Sequence, residues 1–438
     1  MPASTRRRAS PLLFKWEPLE FGLDADGLLW ALSGNRVVTA TYDRGGTVGA
    51  ATSVDVNGRV FAPGYKSPRF FHQYDATSGL WTPRGPLLEG AWTNLVVQSD
   101  DLRAASGWSV DAGFTVVAAY ATLGSLNLSR IAGDFTANQI LRSVTLTGDG
   151  VKGVSQVVEF DVAGIQNCCG LYDSVAAAYR ALATVTWAAD GTATAVAAVG
   201  TLLSFERLGS NAYRILMSST SCTAANGHLI VPCSTGSGTP NTVTAARVGA
   251  VQVENAAFPS SIIPTLGSTV TRSADALWFV CNISAAQCAA NGVTLYDRMV
   301  VGRYNELSSG IMLGAATGSI GDPNCVAMHL NTSNTLQGSM IDAATPKVST
   351  LTVSLAIDDE LERLVTVTPA GVVTISASVN GAAATTATPS AAGAWPTAFG
   401  TAKVFIGDQA TAARAGNVVQ RSVRIAASVR DLSYMRAA

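Results

Sequence analysis

The sequence predicts an all-β protein with two antiparallel β-sandwich or jelly-roll domains, preceded by an irregular N-terminal attachment arm. β-branched and small polar residues alternate over short runs such as "TVTWAADGTATAVAAV" and "LVTVTPAGVVTISASVNG". Turn dipeptides such as Asp190-Gly191 and Asn380-Gly381 interrupt these runs, and long amphipathic helical patterns are nearly absent. Short strands with frequent hairpin turns are typical of sandwiches and jelly rolls and not of alternating βαβ units.

The domain boundaries follow from length and composition. A chain of 438 residues is too long for one core, because single cores stop growing near ~250–300 residues. Residues 1–90 read as an arm with small hairpins that orders against a partner, and we expect a chain without them to fold. The remaining predicted units are a jelly-roll domain (91–256), a docked Pro-containing linker (257–275) and a second sandwich (276–438).

The linker, "AFPSSIIPTLGSTVTRSAD", is rich in Pro, Ser and Thr. Pro259 and Pro264 fix φ and remove two backbone donors, so the run does not fit a sheet interior. Leu266 and the two isoleucines are expected to pack against a domain surface. The predicted docking residues are Phe258, Ile262, Ile263, Pro264 and Arg272.

Composition excludes several partners. Charged residues make up 13% of the chain and the formal net charge is −1, so no field attracts nucleic acid or an anionic membrane. The uncharged stretch 112–129 is broken by Gly, Ser, Thr and Asn, and we expect no membrane span. Low charge together with apolar segments 27–32 and 261–266 predicts a homo-oligomer that buries them.

Few residues offer metal or cofactor chemistry. The seven cysteines form an odd set without paired CxxC spacing, which favours buried free thiols and no metal site. Three scattered histidines are expected to be structural, and no cofactor is predicted. The arginines at 6–8 are weak evidence for nucleic-acid binding, the "DDELER" run (358–363) reads as a solvated turn, and we expect no secretion signal.

One carboxylate pair fits catalysis. Glu159 and Asp161 in "VVEFDVAG" share one strand face and could act as acid and nucleophile in a retaining glycosidase. Sandwich glycosidases of this kind usually add a third carboxylate in the pattern ExDxxE, where Gly164 stands here. Solvated strand carboxylates are therefore the favoured interpretation, and the chain is predicted not to be an enzyme.

Aromatic residues offer a different activity. Trp81, Trp92 and Trp108 could present flat apolar faces to a sugar ring. In small sandwiches such residues more often belong to a core or an interface. Both interpretations stay open from the sequence.

Four ordered segments resemble a family of bacteriophage virion proteins, typically head-spike or head-fibre proteins, or tail proteins. These segments are "RFFHQYD" (69–75), "GPLLEGAWTNLVVQSDDL" (85–102), "GSNAYRILMSS" (209–219) and "VGAVQVENAAFPSSIIPTLGSTVTRSAD" (248–275). The resemblance covers roughly 41–275, and the joint spacing is more specific than any one motif. Trp92 stands where the family commonly has Arg, and Ala212 where Trp is common.

The resemblance implies a structural role. The region between the motifs is similar to carbohydrate-binding-module jelly rolls, and the C-terminal part to concanavalin-like or laminin-G-like sandwiches. We expect a head spike, head fibre or capsid decoration protein on the virion surface, made and assembled in the host bacterial cytoplasm. The implied partners are other virion proteins, further copies in a trimer, and host surface glycans. A tail fibre or receptor-binding protein is the alternative, and a glycan depolymerase is the alternative of another class.

Overall fold

Strands dominate the part of the chain that the computed structural model describes. The described residues are 19–23, 29–33, 36–37, 41–43, 52–55, 57–61, 70–89, 91–236, 238–272, 275–281, 283–301, 310–315, 322–330, 335–343, 345–356, 359–401, 403–406 and 418–437. Within these ranges helix is limited to α1 (Ala285–Asn291), α2 (Leu432–Ala437) and a single 3-10 turn at Ala104–Ser106. The predicted all-β fold class is confirmed. The arginines at 6–8 lie outside the described residues.

The N-terminal part of the fold, up to Asn94, consists of short strands and one long hairpin. These strands are β1 (Leu19–Leu23), β2 (Leu29–Ser33), β3 (Arg36–Val37), β4 (Thr41–Asp43), β5 (Ser53–Val54), β6 (Val60–Phe61), β7 (Phe70–Asp75), β8 (Leu80–Leu88) and β9 (Trp92–Asn94). The hairpin β7–β8 turns through residues 76–79, where Asp75 accepts hydrogen bonds from the Thr77 backbone and the Ser78 hydroxyl. Such aspartate-anchored turns explain why the chain reverses there.

A sandwich of two six-stranded antiparallel sheets follows. Its strands are β10 (Ser109–Val110), β11 (Phe114–Leu123), β12 (Leu126–Gly133), β13 (Ile140–Val144), β14 (Gly153–Glu159), β15 (Gly164–Asp173), β16 (Ala178–Trp187), β17 (Ala193–Val199), β18 (Thr201–Leu208), β19 (Ala212–Ser218), β20 (His228–Cys233) and β21 (Ala245–Glu254). One sheet has the order β10-β13-β20-β15-β16-β17 and the other β11-β12-β21-β14-β19-β18. Apolar residues from both sheets fill the core between them.

The sheet that contains β14 is covered on both sides. Its outer face carries Val157, Ala212 and Ala250, which pack with Val60 from β6 and Ile262 from the linker. This cover explains why β14 is buried at nearly every position and does not alternate. The N-terminal hairpins and the linker therefore form a third layer on this sandwich.

A second sandwich contains the C-terminal residues. Before it, the short strand β22 (Val270–Arg272) pairs with β9 in a sheet of its own. The strands of the second sandwich that follow are β23 (Ala276–Val280), β24 (Val293–Val301), β25 (Gly310–Leu313), β26 (Cys325–Leu330), β27 (Thr335–Asp342), β28 (Thr345–Thr352), β29 (Glu360–Val367), β30 (Val373–Val379), β31 (Thr385–Thr386), β32 (Lys403–Ile406) and β33 (Val418–Ala426). A seven-stranded sheet, β28-β27-β26-β25-β32-β23-β4, faces the run β31-β30-β29-β24-β33. A large apolar core lies between them.

The second sandwich takes strands from the predicted arm. β1 pairs with β33 at Leu19–Phe21, and β4 pairs with β23. The end of β8 also pairs with β33, because Leu87 and Leu88 lie opposite Val419 and Val418. Residues 276–438 therefore do not complete this sandwich alone. Residues 1–90 were predicted to order against a partner, but part of this segment completes the sheets of the same chain. Short strands at the edge of a sheet carry too little pattern to reveal such distant pairing.

A buried ion pair lies on the core side of the second sandwich. Asp297 and Arg363 are opposite each other in the β24–β29 register, and both side chains are fully buried. The Arg363 guanidinium donates to both carboxylate oxygens of Asp297, from Nε at 2.8 Å and also from Nη2. This two-point contact is the geometry that offsets the cost of burying both charges.

Candidate functional site

A cleft lies where the β7–β8 hairpin meets the edge of the first sandwich. Its volume is about 340 Å³, and we call it the Trp81 cleft. Residues from β7, β8, β17, β18 and β19 line it, and they include four aromatic and four polar side chains: Tyr74, Trp81, Phe205, Tyr213, His72, Ser204, Glu206 and Arg207. A cavity of this size suits a small ligand such as a monosaccharide, since ligand pockets span ~300–1,000 Å³.

Strand register creates the aromatic wall of the cleft. Tyr74 and Trp81 are opposite each other on β7 and β8, and their ring centroids lie 5.5 Å apart at an interplanar angle of 57°. Gly58 lies under the Trp81 indole, because a Cβ at that position would be 2.3 Å from Cζ2 of the ring. The close approach of Gly58 therefore fixes where the indole lies.

A second aromatic pair lies on the sandwich side of the cleft. The rings of Phe205 and Tyr213 stack with centroids 4.6 Å apart and planes only 4° from parallel. Trp187 contacts Tyr213 edge-on at 5.7 Å. These contacts support the wall from behind, so the aromatic residues of the cleft have a rigid base.

Hydrogen bonds fix the positions of Arg207 and His72 in the cleft. The guanidinium of Arg207 lies 4.6 Å from the Tyr74 ring centroid, and its Nη1 donates to the Tyr74 hydroxyl at 3.2 Å. Its Nε and Nη2 both donate to the carbonyl of Ser210. The His72 Nδ1 lies 2.8 Å from the carbonyl of Val54, which leaves Nε2 outside that bond.

Aromatic faces beside fixed polar groups suit a ligand with both apolar and hydroxyl surfaces. A sugar ring presents C–H groups on one face and hydroxyls at its rim, which matches an indole face beside an Arg, a His and a Ser. Nowhere in the described ranges do three or more His, Cys, Asp or Glu residues group as a metal site would require. The arrangement can bind and orient a polar ligand.

The other two predicted sugar-binding tryptophans lie elsewhere. Trp108 is buried at 3% exposure in the first core, and its Nε1 donates to the carbonyl of Gln98 at 3.1 Å. Its rings are therefore not available to a sugar, which corrects that assignment. Trp92 lies in β9 and contacts Phe258 edge-on at 5.7 Å. It belongs to the packing of the linker and not to the cleft.

The predicted carboxylate pair is held by arginines. Arg247 donates from Nη1 to Glu159 at 3.1 Å and from Nη2 to Asp161 at 3.2 Å. Arg130 donates to the other oxygen of Asp161 at 2.7 Å, and both guanidinium groups lie near the ring of Tyr120. Asp161 lies beyond the end of β14, so strand alternation does not set its position. Both carboxylates accept a charged hydrogen bond from the same arginine. This network is typical of a structural ion-pair cluster.

The linker is anchored by a buried polar network that we call the linker seam, formed by Glu89, Glu254, Ser260, Arg272 and Asp275. Arg272 donates to the Glu89 carboxylate. The Glu89 backbone N–H donates to the Asp275 carboxylate, and the Asp275 backbone N–H donates to the Glu89 carbonyl, both at 2.8 Å. Ser260 donates to Glu254 from its hydroxyl at 2.7 Å and from its backbone at 3.0 Å. Burial is the largest influence on Glu254 and raises its pKa to about 7.

The predicted docking residues lie in or against this seam. Phe258, Ile262 and Ile263 are buried, Pro264 is half-buried, and Arg272 is exposed by only 1%. Leu266 is 74% exposed, so its predicted packing is wrong. Because Ile262 and Ile263 are buried within the chain itself, segment 261–266 no longer supports the oligomer prediction. Residues 273–274 lie outside the described part.

A close backbone approach seats the linker on β14. A Cβ at Gly153 would lie 2.1 Å from the carbonyl carbon of Phe258 and 2.4 Å from the nitrogen of Pro259. Only glycine allows the two backbones to come this near. The side chain of Phe258 then packs with Leu216 of β19. The linker is thus fixed by shape as well as by hydrogen bonds.

The seven cysteines are buried free thiols, as predicted from their number and spacing. Burial is the main influence on each, and it raises their pKa, to about 11 for Cys281 and to about 12 for Cys288 and Cys325. Thiolate is the reactive form of cysteine. The thiols are therefore protected from reagents in the folded chain.

Sequence reasoning found Trp81 but missed the residues that complete the cleft. Tyr74 and His72 lie in the quoted "RFFHQYD" segment, and the hairpin turn after Asp75 places Tyr74 opposite Trp81. That register was open to prediction from the sequence. The contribution of Phe205 and Arg207 to the cleft could not be predicted, because it depends on how the hairpin packs against β18.

Comparisons with known proteins give little further information. No family model matches the chain, and no curated protein matches it. Among solved structures, domains LG4-5 of the mouse laminin alpha1 chain are similar at a TM-score of 0.23 and 10% identity, over 79% of this chain and 92% of that chain. A likeness at this TM-score carries no conclusion about fold or function. The predicted resemblance of residues 276–438 to such domains stays a prediction.

No helix within the described ranges has the length and apolar character needed to cross a membrane.

Proposed function

We propose that the chain is a structural, non-catalytic protein of a bacteriophage virion that binds host surface glycans through the Trp81 cleft. Head spike, head fibre or capsid decoration is the proposed position. The observation that carries the binding role is the meeting of Tyr74 and Trp81 with the polar groups of Arg207 and His72 in one cleft. The ligand class is a sugar because its ring offers apolar and hydroxyl surfaces together.

Binding without catalysis is supported by the state of the acidic residues. Glu159 and Asp161 form charged bonds with Arg247 and Arg130, whereas a retaining glycosidase needs one carboxylate free to attack and another able to donate a proton. Among the described residues that line the Trp81 cleft, Glu206 is the one acidic side chain. A second carboxylate would be needed there for the usual two-carboxylate mechanism.

The virion assignment is supported by the motif order in the sequence. The segments that carry the resemblance supply Glu89, Glu254, Ser260 and Arg272 to the linker seam, so they support a scaffold role. Low surface charge suits dense assembly with other virion proteins and with further copies of the chain, for which a trimer is proposed. The proposed location is the virion surface.

Binding is tested with surface polysaccharides purified from a panel of candidate hosts, using calorimetry on the full chain. We expect saturable binding that Trp81→Ala weakens at least about tenfold, a loss of ~1.4 kcal/mol. Leu80→Ala is the matched control, because Leu80 is the adjacent residue, is 63% exposed and does not line the cleft. Trp81→Phe, which retains an aromatic face, should recover part of the affinity. Circular dichroism of each variant shows that the fold is intact.

Two results would overturn the proposal. Equal affinity of the wild-type and Trp81→Ala chains, both folded, would remove the cleft from the binding role. Shortening of the polysaccharide during incubation would show a hydrolase instead. Antibody labelling of virions then locates the chain on the head or on the tail, and tail labelling would favour a tail fibre or receptor-binding protein.

A further inference from the structure

Two buried cysteines lie opposite each other on neighbouring strands. The β15–β20 ladder pairs Gly170 with Val231. Further along, the backbone N–H of Ser234 donates to the carbonyl of Asn167 at 3.1 Å, which continues the same register. Between these two points the register places Cys168 opposite Cys233. The two residues are 65 positions apart in sequence, so only the fold brings them together.

The backbone ladder is opened at the neighbouring pair. Cys169 has a left-handed φ of 55°, and its N–H donates at 3.0 Å to Oε1 of Gln156. The Nε2 of the same Gln156 side chain donates at 3.0 Å to the carbonyl of Pro232. A carboxamide from β14 in the opposite sheet thus stands between two backbone groups that would otherwise bond directly. Pro232 has no N–H with which to form the reciprocal bond.

The positions of Cys168 and Cys233 suit a covalent link. Hydrogen-bonded and non-hydrogen-bonded pairs alternate along an antiparallel ladder, so the pair next to Asn167–Ser234 is a non-hydrogen-bonded one, a class whose Cα atoms are ~4.5 Å apart in a regular ladder. Disulfides span Cα separations of about 4.4–6.8 Å. Both side chains have no exposed surface, and residues directly opposite each other in an antiparallel pair lie on the same face of the sheet.

We propose that Cys168 and Cys233 are a cross-strand disulfide pair, which closes when the chain folds in the presence of a small oxidising disulfide such as oxidised glutathione. One protein thiolate attacks the glutathione disulfide, forms a mixed disulfide and releases one glutathione thiolate. The second protein thiolate displaces the bound glutathione. Two protein thiols are oxidised, one glutathione disulfide is reduced to two thiols, and both protons end on glutathione.

Cys169 is a poor competitor for either partner. Consecutive Cα atoms are ~3.8 Å apart, which is shorter than the usual span of a disulfide, so a Cys168–Cys169 link is strained. The Cys169 N–H is also held by Gln156, which fixes the backbone in its left-handed conformation. Cys233, directly across the strand, is therefore the better-placed partner of Cys168.

Burial determines when the link forms. It raises the pKa of both thiols, and the neighbouring Cys168 thiolate raises the pKa of Cys233 further. Oxidant therefore meets the thiolates during folding or on opening of the sandwich, and not in the closed state. The pairing is independent of the proposed glycan binding, since neither cysteine lines the Trp81 cleft.

The experiment refolds the full chain from reduced, denatured material in a glutathione buffer that contains the oxidised form. Remaining thiols are alkylated in denaturant, and the digest is analysed by mass spectrometry with fragmentation that separates Cys168 from Cys169. We expect a cross-linked peptide that joins Cys168 to Cys233, which is absent when only reduced glutathione is present. Cys169→Ser should retain the link, and Cys233→Ser should lose it.

Alkylated Cys168 and Cys233 in wild-type chain that has recovered its native circular dichroism would overturn the proposal. A dominant link that involves Cys169 would do the same. Because the wild-type digest alone decides between these outcomes, the test does not depend on the folding of a variant.

Discussion

Replacing Gly153 with alanine should loosen the linker from the first sandwich. The new Cβ would lie 2.1 Å from the carbonyl carbon of Phe258, whereas ordinary contact begins near 3.4 Å. The atoms it meets are backbone, which cannot rotate away as the end of a side chain can. The linker must therefore move by more than an ångström, which disturbs the packing of Phe258 and the Ser260 bonds to Glu254.

The expected cost has two parts. Overpacking of a close contact costs about 1–3 kcal/mol, and weakening one buried hydrogen bond to a carboxylate adds about 1 kcal/mol or more. We therefore expect Gly153→Ala to lower the free energy of unfolding by about 2–4 kcal/mol. For a domain of this size the melting temperature should fall by roughly 5–15 °C.

The assay is thermal denaturation followed by tryptophan fluorescence, since Trp92 contacts Phe258 directly. Gly267→Ala is the matched control in the same linker, because a Cβ at Gly267 meets nothing within 4 Å. It should change stability by no more than about 0.5 kcal/mol. If Gly153→Ala melts together with this control, the close approach does not hold the linker and the reasoning is refuted.

Four further outcomes follow from the described contacts. Burial raises the pKa of Asp100 from 3.8 to about 6. Its contribution to stability is therefore complete below pH 3.8 and declines as pH rises through about 6. In urea denaturation, the free energy of unfolding of Asp100→Asn should increase relative to that of wild type by on the order of 1 kcal/mol between these limits. Arg363→Met should destabilise by about 3–5 kcal/mol in the same assay because it leaves Asp297 buried without its arginine, and adding Asp297→Leu should recover most of that loss. Deleting residues 1–90 should lower the melting temperature, because it removes strands paired in the second sandwich; an unchanged melting temperature would favour an independent arm. Chain prepared in reductant should show almost no thiol reactive toward Ellman's reagent until urea is added, and rapid native labelling would contradict the buried thiols.

Local features of the fold were predictable from the sequence. Asp190-Gly191 and Asn380-Gly381 follow the strands β16 and β30, and the second dipeptide has the positive φ values, 51° and 74°, that a tight turn requires. These turns depend on residues that are adjacent in sequence. The same is true of the alternation within strands.

Long-range pairing was not predictable. The linker seam joins Glu89 to Arg272 across 183 positions, and no spacing rule connects two such residues. Strands β1 and β4 are too short to show which sheet they join. Cleft residues such as Arg207 depend on the docking of a hairpin, so the sequence indicated one aromatic residue of the site and not its polar partners.

Strand β8 connects the cleft to the second sandwich. Its far end, Leu87 and Leu88, is hydrogen-bonded to β33, while Trp81 at its near end forms a wall of the cleft. A strand of this length acts as a lever of ~20 Å, at about 3.3 Å per residue. One strand therefore joins a sheet of the C-terminal sandwich to a wall of the cleft. In the function proposed above, a sugar that fixes the indole would by reciprocity stiffen the junction against a load, so adhesion and mechanical resistance would be coupled in one strand.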